Sequence, residues 1–189
     1  LLEMLRTGEI DCAILAEPFP DTGLAIAPLY DEPFLAAVPS THPLAQQESI
    51  STQQLKNETM LLLGAGHCFR DHVLEVCPEF ARYASNAEGI RRSFEGSSLE
   101  TIKHMVAAGM GVTLVPRLSV ANDALQSPRR RRSDEPYIRY LPIVEPDGSA
   151  PPKRRVSLVW RRSFTRYEAI AALRNAIHAC KLLGVERLN

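Results

Sequence analysis

Thr59-Met60-Leu61-Leu62-Leu63-Gly64-Ala65-Gly66-His67-Cys68-Phe69-Arg70-Asp71-His72-Val73-Leu74-Glu75-Val76 changes character twice in a short span. The first five residues read as a strand buried on both faces. Gly64-Ala65-Gly66 ends it. A helix is then expected from near Cys68 towards Val76, with Pro78 discouraging continuation. Strand, glycine loop and helix together are the repeating unit of α/β sheets.

The same alternation extends outward. Ser98 is placed to cap a helix whose Leu99, Ile102, Met105 and Val106 share one face. Gly109 and Gly111 end that helix, and Val112 to Val115 reads as the next buried strand. Upstream, Ser51 or Thr52 can cap a brief helix through Leu55. Leu24 to Tyr30 and Phe34 to Val38 read as two strands, and Asp11 to Ala16 as one buried on both faces. Downstream, Tyr137 to Ile143 and Val156 to Trp160 are strands. Thr165 with Glu168 forms a capping box for a last helix that buries Ile170, Leu173, Ile177 and Cys180. The pattern predicts an α/β protein with mostly parallel sheets.

Composition narrows the function. The 189 residues are 45% hydrophobic and 23% charged, enough for one compact domain or two small lobes. Lys and Arg number 22 against 22 Asp and Glu, so no surplus charge is available to collect phosphates along a duplex. Arg129 to Arg132 lie in a polar stretch and read as a solvated loop in preference to a nucleic-acid patch. No apolar run approaches the roughly 18–20 residues that span a bilayer. Leu1 to Gly8 reads as the last turns of a helix and lacks the order of a signal peptide, so the sequence is expected to begin inside a domain. Four cysteines are too few for a disulfide scaffold. His67, Cys68 and His72 make at most a partial metal set, and neither metal nor cofactor is expected.

Cys68 stands where the glycine loop is expected to become a helix, so unpaired backbone N–H groups and the helix dipole favour a negative sulfur. Arg70 adds a permanent positive charge, and His67 can donate a hydrogen bond or carry charge. Such settings lower a thiol pKa from about 8.5 towards roughly 3.5–7.5. Thiolate attacks peroxide oxygen and becomes a sulfenic acid. Asp71 can orient Arg70 or His67, or support the first helical turn. The residues alone leave Cys68 open between this reading and an inert buried thiol. Cys77 lies nine residues on. Nine residues of ideal helix separate Cα atoms by about 13.5 Å and put side chains on opposite faces. A disulfide needs Cα atoms about 4.4–6.8 Å apart. If both cysteines sit on that helix, bonding requires it to unwind or move, and oxidation would trap a second conformation. Cys12 and Cys180 read as core packing. Ser98 and Thr101 could receive an anion or small ligand, or serve only as a cap.

Gly66-His67-Cys68-Phe69-Arg70-Asp71 followed by Cys77 resembles the redox loop of OxyR-type regulators, with the same step between cysteines. Leu1-Leu2, Gly8, Asp11 to Leu15, Asp31-Glu32-Pro33 and His42-Pro43-Leu44-Ala45 are similar to the LysR-type effector domain. So are Ser98 to Thr101, Met105 to Gly111, Leu114-Val115-Pro116 and Leu158 to Arg161. The likeness covers nearly the whole chain. The segment from Pro78 to Gly96 and the arginine loop look longer than in relatives.

The resemblance implies two Rossmann-like α/β lobes of the type II periplasmic-binding-protein kind, joined by crossover strands near Glu32–Pro39 and Tyr140–Val156. Lobe I is expected over residues 1–34 and 153–189, incomplete at its N-terminus. Lobe II is expected over 35–152 with the redox cysteines, and the DNA-binding domain outside this chain. Cys68 would be the peroxide-reactive thiol and Cys77 the resolving thiol of a redox disulfide, with His67, Arg70 and Asp71 in support. Gly66, Ser98 and Thr101 are the candidate ligand contacts. Implied partners are hydrogen peroxide, a second copy of the domain, a tetramer of the whole protein, DNA through a helix-turn-helix, and RNA polymerase. The setting would be cytoplasmic, without a membrane, and the protein a sensor, not an enzyme. The competing readings are an effector domain that binds a small metabolite between its lobes, a thiol peroxidase, and a solute-binding protein.

Overall fold

The computed structural model describes residues 1–20, 22–64, 68–76, 93–121 and 137–188, with backbone alone for 68, 76 and 93–95. In chain order the elements are α1 (Leu2–Thr7), β1 (Cys12–Ala16), β2 (Leu24–Pro39), α2 (Thr52–Leu55), β3 (Met60–Leu63), α3 (Cys68–Val76) and β4 (Ser93–Gly96). They continue with α4 (Leu99–Ala107), β5 (Thr113–Pro116), β6 (Ile138–Pro142), β7 (Lys153–Arg161), α5 (Tyr167–Ala179) and β8 (Glu186–Arg187). Two compact units divide the chain, Pro33–Pro152 and Leu1–Glu32 with Lys153–Asn189.

In the unit Pro33–Pro152, β3 is buried throughout and pairs in parallel with β4, Leu61 opposite Phe94 and Leu63 opposite Gly96. Met60, Leu61 and Leu62 are sealed from solvent, each worth roughly 1.5–3 kcal/mol of burial. α4 begins as expected: the Ser98 hydroxyl accepts from the Thr101 amide at 3.1 Å, satisfying a first-turn donor. Its Ile102 and Val106 are buried, and Leu99 and Met105 pack half-buried against the same core. A methyl group on Gly111, just beyond α4, would lie 2.4 Å from the Thr59 carbonyl oxygen. The second half of β2 is antiparallel to both β5 and β6, with Leu35 opposite Val115 and Pro142.

In the other unit, β1 is antiparallel to β7, Cys12 opposite Trp160 and Ala16 opposite Val156. Tyr30 and Asp31 of β2 pair antiparallel with Arg187 and Glu186 of β8. Leu5, Ala13, Leu24 and Val159 form one small core, and Leu29, Leu158 and Ile170 another. Arg161 fastens α1: its Nη1 donates to the Leu5 carbonyl at 2.6 Å and the Ile10 carbonyl at 2.7 Å. Both N–H groups of one guanidinium nitrogen thus serve carbonyls, held in a plane that a freely rotating lysine ammonium does not fix. Arg161→Ala is expected to lower unfolding free energy by about 2 kcal/mol, and Arg161→Lys to recover little of it, in denaturant titrations. Full stability in either variant would show that α1 holds itself.

The structure corrects several expectations. The strands anticipated at Leu24–Tyr30 and Phe34–Val38 are one strand, β2, because the charges between them are compensated without leaving the sheet. Glu32 is sealed and accepts from Arg154 Nε at 2.9 Å. Asp31 is buried and accepts from Arg155 Nε at 2.9 Å, with Lys153 Nζ at 2.8 Å. Most described pairings are antiparallel, since neighbouring strands come from remote segments and not from successive strand–helix–strand units. β1 exposes Ile14 and is not buried on both faces. α5 starts at Tyr167 after Arg166, without the Thr165–Glu168 capping box, and fully buries only Ile170. Leu173 is exposed, Ile177 half-buried, and Cys180 follows the helix as an exposed residue.

Asp31 also makes stability depend on pH. The hydrogen bond from Arg155, followed by that from Lys153, holds its carboxyl below the usual carboxylate range against the opposing effect of burial. A lowered folded-state value means stability present above the ordinary aspartate range of about 3.9 and lost as pH falls through the folded value. Asp31→Asn is therefore expected to flatten the decline of the denaturation midpoint between about pH 5 and pH 2. Parallel declines in both proteins would remove Asp31 from the acid response.

Candidate functional site

α3 is amphipathic: Phe69, His72 and Val73 are buried at positions one turn apart, and Asp71 and Glu75 face solvent. The Phe69 ring meets Phe34 of β2 edge-on, centroids 5.5 Å apart and planes at 71°. The His72 ring lies 6.4 Å from the same Phe34, tilted by 33°. Arg70 reaches back across the glycine segment, its Nη1 donating to the Leu63 carbonyl at 3.1 Å. This bond ties the first turn of α3 to the end of β3, so the strand's position fixes the helix start.

Cys68 is the first residue of α3. Amides of a first turn have no partner within their helix and present partial positive charge. That setting favours an anion at this point of the chain, while Asp71 in the same turn is exposed. Gly66, His67 and Cys77 lie outside the described residues. Eight residue steps of helix from Cys68 to Val76 span about 12 Å.

Ser98 and Thr101 meet each other: their hydroxyl oxygens are 2.9 Å apart, and the Ser98 hydroxyl also receives the Thr101 amide. Both are exposed, and their contacts are those of a helix cap. Cys12 is half-buried beside Trp160 and Leu158, whereas Cys180, expected in the core, is exposed. Among the described residues no group of three or more His, Cys, Asp or Glu could hold a metal ion. No described helix is long and apolar enough to cross a membrane. Sequence reasoning missed Phe34, which supports α3 from a remote strand, and gave His72 no structural part. The spacing of Phe69, His72 and Val73 on one helical face was the available signal.

The family model for the LysR substrate binding domain matches residues 1–180. This chain belongs to that family. As a LysR substrate-binding domain it carries the expected α/β fold. A hydrogen peroxide-inducible genes activator of Pectobacterium carotovorum subsp. carotovorum is 38% identical over 174 residues, 90% of this chain and 51% of the relative. The chain thus spans about half the length of the curated relatives it matches. Among solved structures, a reduced form of OxyR from N. meningitidis is similar at 35% identity with a TM-score of 0.84, over 100% of this chain and 80% of that one. The reduced OxyR regulatory domain from Pseudomonas aeruginosa is similar at 38% identity with a TM-score of 0.74, over 95% of this chain and 77% of that one. The OxyR-type resemblance drawn from the redox loop therefore extends to whole-domain similarity.

Proposed function

We propose that this LysR substrate-binding domain is the peroxide-sensing regulatory part of a DNA-binding transcription regulator. The observation that carries the reading is Cys68 at the first residue of α3, the position where the helix favours a thiolate. The named relatives support it. Cys68 thiolate attacks one peroxide oxygen, the O–O bond breaks, and with a proton the products are Cys68 sulfenic acid and water. The Cys77 thiol then attacks the sulfenic sulfur, expelling a second water and leaving the Cys68–Cys77 disulfide. Two electrons pass from the two sulfurs to one peroxide. Arg70 and His67 favour the thiolate, and Asp71 supports the first turn. Gly66, Ser98 and Thr101 are the residues assigned to ligand contact.

We read the unit Pro33–Pro152 as lobe II and the other as lobe I, joined by β2 and by the chain entering β7. The domain acts as a homodimer, within a tetrameric, cytoplasmic protein that meets DNA through a helix-turn-helix and RNA polymerase at the promoter. Each oxidation makes one switching event, so the thiol senses and does not turn over.

The test is titration of the reduced domain with peroxide, followed by thiol counting and hydrogen exchange. Two thiols lost per peroxide, recovery with dithiothreitol, and faster exchange in α3 are expected. Unchanged thiols together with saturable binding of a metabolite would replace this reading with that of a metabolite-binding effector domain. Sustained peroxide consumption with a thiol reductant would indicate a peroxidase.

A further inference from the structure

We propose that β8 is a salt-sensitive strap: the Lys153 ammonium latches Glu186 over the edge of β2, and release of that latch opens the edge at Leu29–Asp31 while the sheet beneath stays folded.

β8 is two residues long and pairs antiparallel with β2, Arg187 opposite Tyr30 and Glu186 opposite Asp31. The Leu188 amide extends the pairing by donating to the Leu29 carbonyl at 3.0 Å. Both residues of β8 are exposed, so burial of their side chains contributes little to docking. Side-chain ties take its place. Lys153 Nζ, at the start of β7, lies 3.0 Å from Glu186 Oε2 and 2.8 Å from Asp31 Oδ2. Arg187 donates from Nη2 to the Cys180 carbonyl just after α5.

The two carboxylates on Lys153 differ in their surroundings. The Asp31 side chain is 4% exposed and that of Glu186 is 68% exposed. Arg155 gives Asp31 a second, two-pronged partner, Nε to Oδ1 at 2.9 Å and Nη2 to Oδ2 at 3.1 Å. Opening of the strap therefore strands no buried charge: Asp31 keeps both cations, and Glu186 passes into water. Salt acts on the same side of the latch. At about 1 M the screening length falls to about 3 Å, which weakens the exposed Lys153–Glu186 pair far more than the buried Asp31 contacts. At Asp31, β7 flanks β2 on one side and β8 on the other. An open strap thus leaves backbone groups of Leu29–Asp31 as an unpaired edge, able to pair with another strand.

The test is hydrogen exchange of the 189-residue chain under reducing conditions, read at two amides. Leu188 reports the strap, and Leu158, sealed in β7, reports the sheet. In low-salt buffer Glu186→Gln is expected to speed exchange at Leu188 about fivefold, the size of an exposed ion pair's contribution, and to leave Leu158 unchanged. In about 1 M sodium chloride the wild-type rate at Leu188 is expected to approach that of the variant, which itself responds little. A wild-type rate at Leu188 in Glu186→Gln, or no response of the wild type to salt, overturns the latch. Equal acceleration at Leu188 and Leu158 means that β8 opens only with the whole sheet, and overturns the strap as well.

Discussion

Cys68→Ser is expected to leave the chain without a Cys68–Cys77 bond at any peroxide concentration and to slow peroxide-dependent thiol loss by roughly one to two orders of magnitude. A thiol lacking an electropositive setting is only a few per cent thiolate near neutral pH, and thiolate is the attacking form. Residual loss is expected at Cys180, which is exposed, before Cys12, which is half-buried. Cys77→Ser is the informative partner: it should react at the wild-type rate but stop at the sulfenic acid or pass on to over-oxidation. Stopped-flow oxidation with a sulfenic-acid trap separates the two variants. Equal rates in wild type and Cys68→Ser would take Cys68 out of the chemistry.

Gly111→Ala is expected to cost about 3 kcal/mol or more, the largest stability loss anticipated for one added methyl group. The new Cβ would sit 2.4 Å from the Thr59 oxygen and 3.3 Å from Leu61 Cγ. Neither can retreat cheaply. The Thr59 carbonyl accepts the Val112 amide at 2.9 Å, and the Val112 carbonyl accepts the Leu61 amide at 2.8 Å. The Thr113 hydroxyl adds a bond of 2.7 Å to the Leu61 carbonyl. Relief of the clash must therefore stretch a buried network that joins β3 to the chain entering β5, where each lost bond also leaves a desolvated group. Thermal unfolding of the variant within a degree or two of wild type would mean that this approach is looser than drawn.

The elements bracketing the candidate redox segment were legible because local signals agree there. Met60 to Leu63 is a short apolar run between polar and glycine residues, and it is the buried β3. Ser98 with the Leu99–Ile102–Val106 spacing gives both the start and the inward face of α4. Local signals failed where distant residues decide. Asp31 and Glu32 look like the end of a strand, and only Lys153, Arg154 and Arg155, more than 100 positions away, let β2 continue through them. Strand direction depends on which remote segments meet, so antiparallel pairing was invisible to an alternation count. Leu173 in α5 and Cys180 just after it continue the spacing of Ile170 yet remain exposed, because spacing names a face without naming what covers it. At the candidate site, the residue types of Cys68, Arg70 and Asp71 are what suggest the proposed chemistry. Phe34 did not: its importance lies in where β2 places its ring against Phe69 and His72.

The most direct measurement is a non-reducing peptide map of the chain after one equivalent of peroxide, with free thiols blocked before digestion. One dominant linked species joining Cys68 to Cys77 is expected, with Cys12 and Cys180 recovered as blocked thiols. Four blocked thiols, or a dominant linkage through Cys12 or Cys180, would contradict it.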